Sequence, residues 1–170
     1  LTDTIAELTS RFPRQGTVTW IGVRPERKAA LVPISSVEIT PNGLAGDHRN
    51  RPGKRAVTLI QSEHLPAIAS LAGLETLDPA CLRRNVVIGG INLIALRNRT
   101  FRVGTALLRG TGLCAPCSRM EQILGPGGYN AMRGHGGVTA EVVEPGTVKL
   151  GDALTWDNAD GRHKGDNLPG

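Results

Sequence analysis

The sequence predicts a mainly β fold: a closed or nearly closed barrel of short strands with a few short helices. Three observations carry that expectation. About eight short apolar or β-branched runs recur along the chain, each bounded by glycine, proline or asparagine turns. Glycine accounts for 22 of the 170 residues, with no Gly-X-Y period, so it serves as punctuation between strands. Only one segment makes a convincing helix between strands, whereas a doubly wound sheet needs one between each successive pair. Closure also removes exposed strand edges.

Residues 1–15 form an N-terminal extension with a short amphipathic helix at 3–8, residues 16–156 the barrel domain, and residues 157–170 a polar tail expected to be mobile. Residues 17–23 (Thr-Val-Thr-Trp-Ile-Gly-Val) alternate and are β-branched, as a half-buried strand requires. Residues 24–33 are polar and proline-bounded, which predicts a loop. A strand at 36–40 stops at the Pro41-Asn42-Gly43 turn. Residues 44–55 are basic and aperiodic, a long loop. Residues 56–61 are a strand, after which Ser62 is placed to cap a helix over 63–71 that Gly73 closes. Asp78-Pro79 pairs a cap with a first-turn proline and starts a short turn carrying Cys81, expected to be buried.

Residues 85–88 are an apolar strand ended by Gly89-Gly90, and two runs at 99–103 and 105–109 flank Gly104. A helix is predicted over 118–124, followed by a flexible glycine-rich segment to 137. Strands at 136–143, 147–150 and 153–156 complete the set, with turns at Pro145-Gly146 and Gly151-Asp152.

The formal net charge of +5 favours an acidic partner: phosphates, nucleic acid or an anionic cofactor. Two Trp, two Phe and one Tyr are scattered along the chain and offer no stacking platform of the kind single-stranded nucleic-acid binders use. Nucleic acid is therefore disfavoured, and a small anionic cofactor preferred. Three cysteines are too few for a stapled secreted fold. With no membrane-length apolar run and no signal-peptide pattern, a cytoplasmic location is expected.

Cys114-Ala115-Pro116-Cys117 is the most specific chemical feature. A free thiol with a pKa of about 8.5 is only about 3% thiolate at pH 7. A helix beginning near Pro116 would put Cys117 at its N-terminus beside Arg119, where the anion is favoured. Cys117 is thus the better nucleophile or ligand. Zinc is not expected, because lone Cys81 and scattered His48, His64, His135 and His163 supply no second ligand pair. A thioredoxin-type Cys114/Cys117 disulfide exchange stays open, although that motif belongs after the first strand of a βαβ unit. So do a basic module for phosphate or nucleic acid and a pair of buried structural thiols.

The order of motifs from Gly43 to Asp152 resembles the MOSC family, named for the C-terminal domain of molybdenum cofactor sulfurase. The pieces are Gly43-Leu-Ala-Gly-Asp47 with His48 and Arg49, Arg55-Ala-Val-Thr-Leu-Ile-Gln-Ser-Glu63, Arg83-Arg-Asn-Val-Val-Ile88, the strand pair around Gly104, Pro116-Cys117, Gly134-His-Gly-Gly-Val138 and Val148-Lys-Leu-Gly-Asp152. The resemblance implies a small stand-alone barrel whose Cys117 either carries sulfur as a persulfide or coordinates molybdenum in a molybdenum-pterin cofactor. It implies pterin and phosphate contacts from Arg83 and Asn85. It departs from molybdenum-binding members at Ala115, where they carry serine.

Arg84, Arg119 and His135 join Arg83 and Asn85 as candidate cofactor-binding residues, and His48 is a candidate proton donor beside the catalytic Cys117. Asp47 and Asp152 are expected to hold their turns. The reading that follows is a molybdenum oxidoreductase acting on N-oxygenated compounds with a separate electron-donor protein, or a sulfur carrier served by donor and acceptor proteins. Pyridoxal phosphate binding is attached to the family label, but none of Lys28, Lys54, Lys149 or Lys164 is singled out for a Schiff base.

Overall fold

A computed structural model describes residues 2–156, so the expectation of a mobile tail at 157–170 falls outside the described residues. The strands are β1 (Gly16–Val23), β2 (Val32–Pro33), β3 (Ser36–Thr40), β4 (Gly43–Leu44), β5 (Val57–Gln61), β6 (Val86–Gly89), β7 (Thr100–Val103), β8 (Ala106–Leu113), β9 (Val138–Glu144), β10 (Gly146–Lys149) and β11 (Ala153–Trp156). The helices are α1 (Ile5–Thr9), α2 (His64–Leu71), α3 (Ser118–Leu124) and α4 (Gly128–Met132), with short 3-10 turns at Pro79–Cys81 and Leu93–Leu96.

Seven strands close into a barrel in the order β1-β6-β5-β9-β8-β7-β11, with β11 pairing back onto β1. The barrel pairs are antiparallel except β5 with β6, which run parallel. That pair needs a crossover, and α2 supplies it. A single βαβ unit therefore sits in an otherwise antiparallel barrel. The closing seam is short, Gly16 opposite Leu154 and Thr17 opposite Ala153. It depends on glycine at 16, because a Cβ there would collide with the Ile91 and Ile88 methyls. A separate three-stranded sheet, β10-β3-β4, lies beside the barrel.

The alternation of β1 is interrupted between Val18 and Trp20, where the register with β6 shifts. Val18 and Ile21 consequently both point inward despite their odd spacing. Phe101, Leu59, Ile88, Leu108, Val138 and Leu154 join them in the main core. A second apolar cluster, Ile60, Val87, Ile68, Leu82, Met120, Leu124 and Met132, lies where α2, α3 and α4 cover the outer face of β5 and β6. Consecutive residues Leu59 and Ile60 thus serve two different cores, as the two-residue period of a strand demands.

Several local expectations change. Residues 24–33 contain the two-residue β2, and 44–55 begins with the second residue of β4. Ser62 does not cap α2; Glu63 occupies that position without a side-chain cap bond. The glycine-rich segment after α3 contains α4, which buries Met132 in the second core. Glu121 stabilises its start by accepting from the Gly127 and Tyr129 N–H groups, each at 2.7 Å. Cys81 is half-buried, not buried. The predicted cap at Asp78 forms, accepting from Ala80 N–H at 2.9 Å. No helix among the described residues is long and apolar enough to cross a membrane.

Phe101 is the largest fully buried side chain of the barrel interior. Phe101→Ala is expected to cost about 3–5 kcal/mol, read as a lower urea midpoint at unchanged slope. A loss below about 1 kcal/mol would mean that the barrel is not packed as described.

Candidate functional site

Arg24 follows the end of β1, Thr58 belongs to β5, and Arg83, Arg84 and Asn85 lead into β6. These points lie at one end of the barrel. Asp47, Arg49 and Arg55 reach the same end from the loop between β4 and β5, and Cys114, Ala115 and Cys117 from the link between β8 and α3. Together with Leu31 they line a cleft of about 250 Å³. A larger hollow of about 500 Å³ lies at the opposite end, between α1 and the chain after β6. It contains no cysteine or histidine, so the chemistry belongs to the smaller cleft.

Five arginines and one carboxylate, Asp47, line this cleft. Asp47 is occupied structurally, accepting from the Arg24 backbone N–H at 2.7 Å. The ion pairs of the described residues, Arg11–Asp3 and Arg102–Glu144, involve none of the lining residues. The Nε atoms of Arg24 and Arg49 are buried without a hydrogen-bond partner, a costly state for a charged donor. Burial, and then the Arg83 charge, pull the Arg24 guanidinium below its ordinary pKa, against a weaker pull from Asp47. Arg49 is lowered likewise by burial and then by Arg51 and Arg55. Desolvation and like-charge repulsion both disfavour these cations as they stand, and the attraction and hydrogen bonds of an incoming anion would offset both.

The Arg83-Arg84 pair divides. Arg83 adopts a left-handed backbone, φ 60°, which costs a non-glycine residue about 1–2 kcal/mol and sends consecutive side chains in different directions. Arg83 stays half-exposed in the cleft wall. Arg84 is 4% exposed and donates to the carbonyls of Gly136 (2.8 Å), Leu82 (2.9 Å), Cys114 (3.2 Å) and Ala115 (3.2 Å). Asn85 is also engaged: its Nδ2 donates to Gly22 O at 3.0 Å and its Oδ1 accepts from Thr58 Oγ1 at 3.1 Å. That bond pattern ties β1, β5 and β6 together at the rim.

The two thiols differ sharply. Cys117 is exposed, lines the cleft and stands at the N-cap position of α3, without a side-chain cap bond; the helix begins at Ser118, as predicted, and so places Cys117 at its N-terminus. Cys114 is buried, its N–H bound to Gly137 O at 2.8 Å and its sulfur 4.0 Å from Arg55 Nη2. Among the sequence-predicted residues, Cys117, Arg83, Arg84 and Asn85 therefore meet in one place. The other three do not line the cleft. Exposed His48 lies between two lining residues, its N–H bound to Arg24 O at 2.6 Å. Arg119 donates to Lys28 O at 3.3 Å. His135 meets His64 edge-on, ring centroids 4.9 Å apart. Arg24, Arg49 and Arg55 were not singled out as anion donors; the last two stand inside the quoted motifs, which was the available signal.

Among the described residues no group of three or more His, Cys, Asp or Glu is placed to hold a metal ion. A metal here would take one protein thiolate and bring its remaining ligands with it. The donor set fits that arrangement: one exposed sulfur, guanidinium donors without partners, and no free carboxylate to repel a phosphate.

The fold is shared with solved structures. The YuaD protein from Bacillus subtilis superposes with a TM-score of 0.73 at 17% identity, over 85% of this chain and 98% of that one. YiiM from Escherichia coli gives 0.67 at 20% identity over 85% and 70% of the two chains. YiiM from Geobacillus stearothermophilus gives 0.67 at 20%, over 84% and 75%. A search of curated proteins finds no match. The MOSC domain model matches residues 41–155, a span that includes every cleft-lining residue except Arg24 and Leu31, and the chain accordingly belongs to the MOSC domain family.

Proposed function

We propose that the cleft holds a phosphate-bearing molybdenum-pterin cofactor, with the Cys117 thiolate as the protein's sulfur ligand to the metal. The observation that carries this reading is the conjunction of unpartnered, buried Arg24 and Arg49 Nε atoms with an exposed thiol in one cleft. Arg24, Arg49, Arg55 and Arg83 would grip the phosphate, arginine's planar fork being suited to it. At about 250 Å³ the cleft is below the ~300–1,000 Å³ usual for a drug-sized ligand. The lining residues would therefore hold only the phosphate and the metal-facing sulfur of such a cofactor. When bound, such a cofactor supplies two-electron oxygen-atom transfer, here on N-oxygenated compounds, with electrons from a separate protein.

One observation favours a second reading within the same family. Cys117 is open to solvent, so its thiolate could take the sulfane sulfur of a donor protein's persulfide, the donor leaving as a thiolate, and an acceptor thiolate could take that sulfur in turn and return Cys117 to its thiolate. Disulfide exchange with Cys114 is less well supported. Cys114 is buried and held at both its N–H and its C=O. The basic residues converge on a concave cleft rather than forming a stripe, which also favours a small anion over nucleic acid.

Protein made in a host that synthesises the cofactor should carry near-stoichiometric molybdenum released together with pterin. Cys117→Ser should abolish it, and Cys114→Ser should leave most of it. Cyanide-labile sulfur without metal would instead establish the carrier, and greater damage from Cys114→Ser would show that the working thiol is misassigned.

Arg83 gives a second expectation. Arg83→Gly relieves the left-handed backbone, so the thermal midpoint of the cofactor-free protein should stay level or rise. Cofactor retention should fall about ten-fold or more, as loss of a charged hydrogen bond implies. A lower midpoint with unchanged retention would remove Arg83 from the site.

A further inference from the structure

We infer that Arg84 is a positioning residue: its guanidinium sets the place of the sulfur-bearing segment instead of binding the cargo. A basic pair before a strand reads as a double phosphate fork, and the geometry separates the two. Four carbonyl oxygens converge on the Arg84 side chain, and they come from three separate stretches of chain. Leu82 belongs to the entry of β6, Cys114 and Ala115 to the segment that ends at Cys117, and Gly136 to the entry of β9.

A guanidinium carries five N–H donors in a rigid plane. Nε is used by Gly136, one Nη by Leu82, and the other Nη by Cys114 and Ala115 together. Little donor capacity is left for a ligand. The segments are locked further by Cys114 N–H donating to Gly137 O at 2.8 Å. The fit is close enough that a Cβ at Gly136 would overlap the Cys114 carbonyl oxygen. Glycine at 136 and arginine at 84 are therefore two halves of one joint.

The link between β8 and α3 needs such a joint. Residues 114–117 belong to no helix or strand and have no ladder of their own. Without an external donor the carbonyl of buried Cys114 would be left unpaired at the cleft wall, a cost of about 1–3 kcal/mol, and that of exposed Ala115 would have only solvent to hold it. Arg84 satisfies both and holds the chain two residues before Cys117. It does so without a carboxylate partner: neither ion pair of the described residues includes it. Its charge consequently stays available to the cleft while its donors stay with the backbone.

The inference rests on the proposed role of Cys117 only in its cargo-binding arm. The test uses the full chain, its Arg84→Lys variant and its Gly136→Ala variant. In the parent, iodoacetamide should modify exposed Cys117 and spare buried Cys114, and the Cys114 amide should exchange slowly with deuterium. Arg84→Lys keeps the charge but replaces a planar fork by one ammonium, which cannot reach four carbonyls. Cys114 alkylation should then accelerate about ten-fold or more, with faster exchange at 114–117 and 135–137 and unchanged exchange in β7. Gly136→Ala should reproduce this from the other side of the joint. Cofactor retention should fall in both variants although Arg83 is intact.

Arg84→Lys with Cys114 still protected would overturn the inference, and with cofactor lost as well would make Arg84 a ligand donor. Exposed Cys114 with full cofactor retention would also overturn it. Should neither variant fold, the parent still decides, since a Cys114 amide that exchanges at loop rates would contradict a fixed joint. A parent that never acquires molybdenum counts against the function proposed above, while the alkylation and exchange readings continue to judge Arg84.

Discussion

Five guanidinium groups held at the mouth of one cleft repel each other, and the barrel is what forces them together. Arg24, Arg49, Arg55, Arg83 and Arg84 arrive from three chain segments that would separate if the strands beneath them were not closed into a ring. The closing seam is two residue pairs long and passes through Gly16. Asn85 then pins β1 to β5 and β6 at the rim itself. The strain is local and visible: a left-handed Arg83 and two buried Nε atoms with nothing to donate to. Such outliers persist only where surrounding structure over-determines them, and they gather where a ligand is to be held.

Sulfur is placed by the same frame. Two cysteines three residues apart have opposite environments because the segment carrying them is fixed at its first residue and free at its last. Cys114 is held by Gly137 and Arg84, while Cys117 sits exposed at the start of α3. One accessible thiol beside an unneutralised cationic wall suits a single-thiolate task better than exchange between two thiols.

Much of the fold was legible in the residues. The runs at 57–61, 86–89 and 100–103 are short and rich in β-branched or apolar residues, the last two stopped by glycine, and they became strands close to their expected ends. The helix over 118–124 was legible from its pattern and matches α3 in full. The parallel pairing of β5 with β6 was not, because an apolar run looks the same whichever direction its neighbour takes. The helix α4 was hidden by its glycines; tertiary packing of Met132 and the Glu121 contacts override poor propensity there. In the site, Cys117 and Arg83 could be read from motif order. Arg24 could not, since a single charged residue in a polar loop does not announce which way it faces. The opposite destinations of Arg83 and Arg84 depend on a positive φ that no glycine or asparagine signals.

An anion seated between Arg24 and Arg49 should stabilise the native state by mass action, so the most direct measurement is the thermal midpoint of cofactor-free protein against inorganic pyrophosphate. The account predicts a midpoint that climbs with concentration in the parent and stays flat in an Arg24→Met/Arg49→Met double variant. A flat response in the parent, or an equal climb in the double variant, would contradict it.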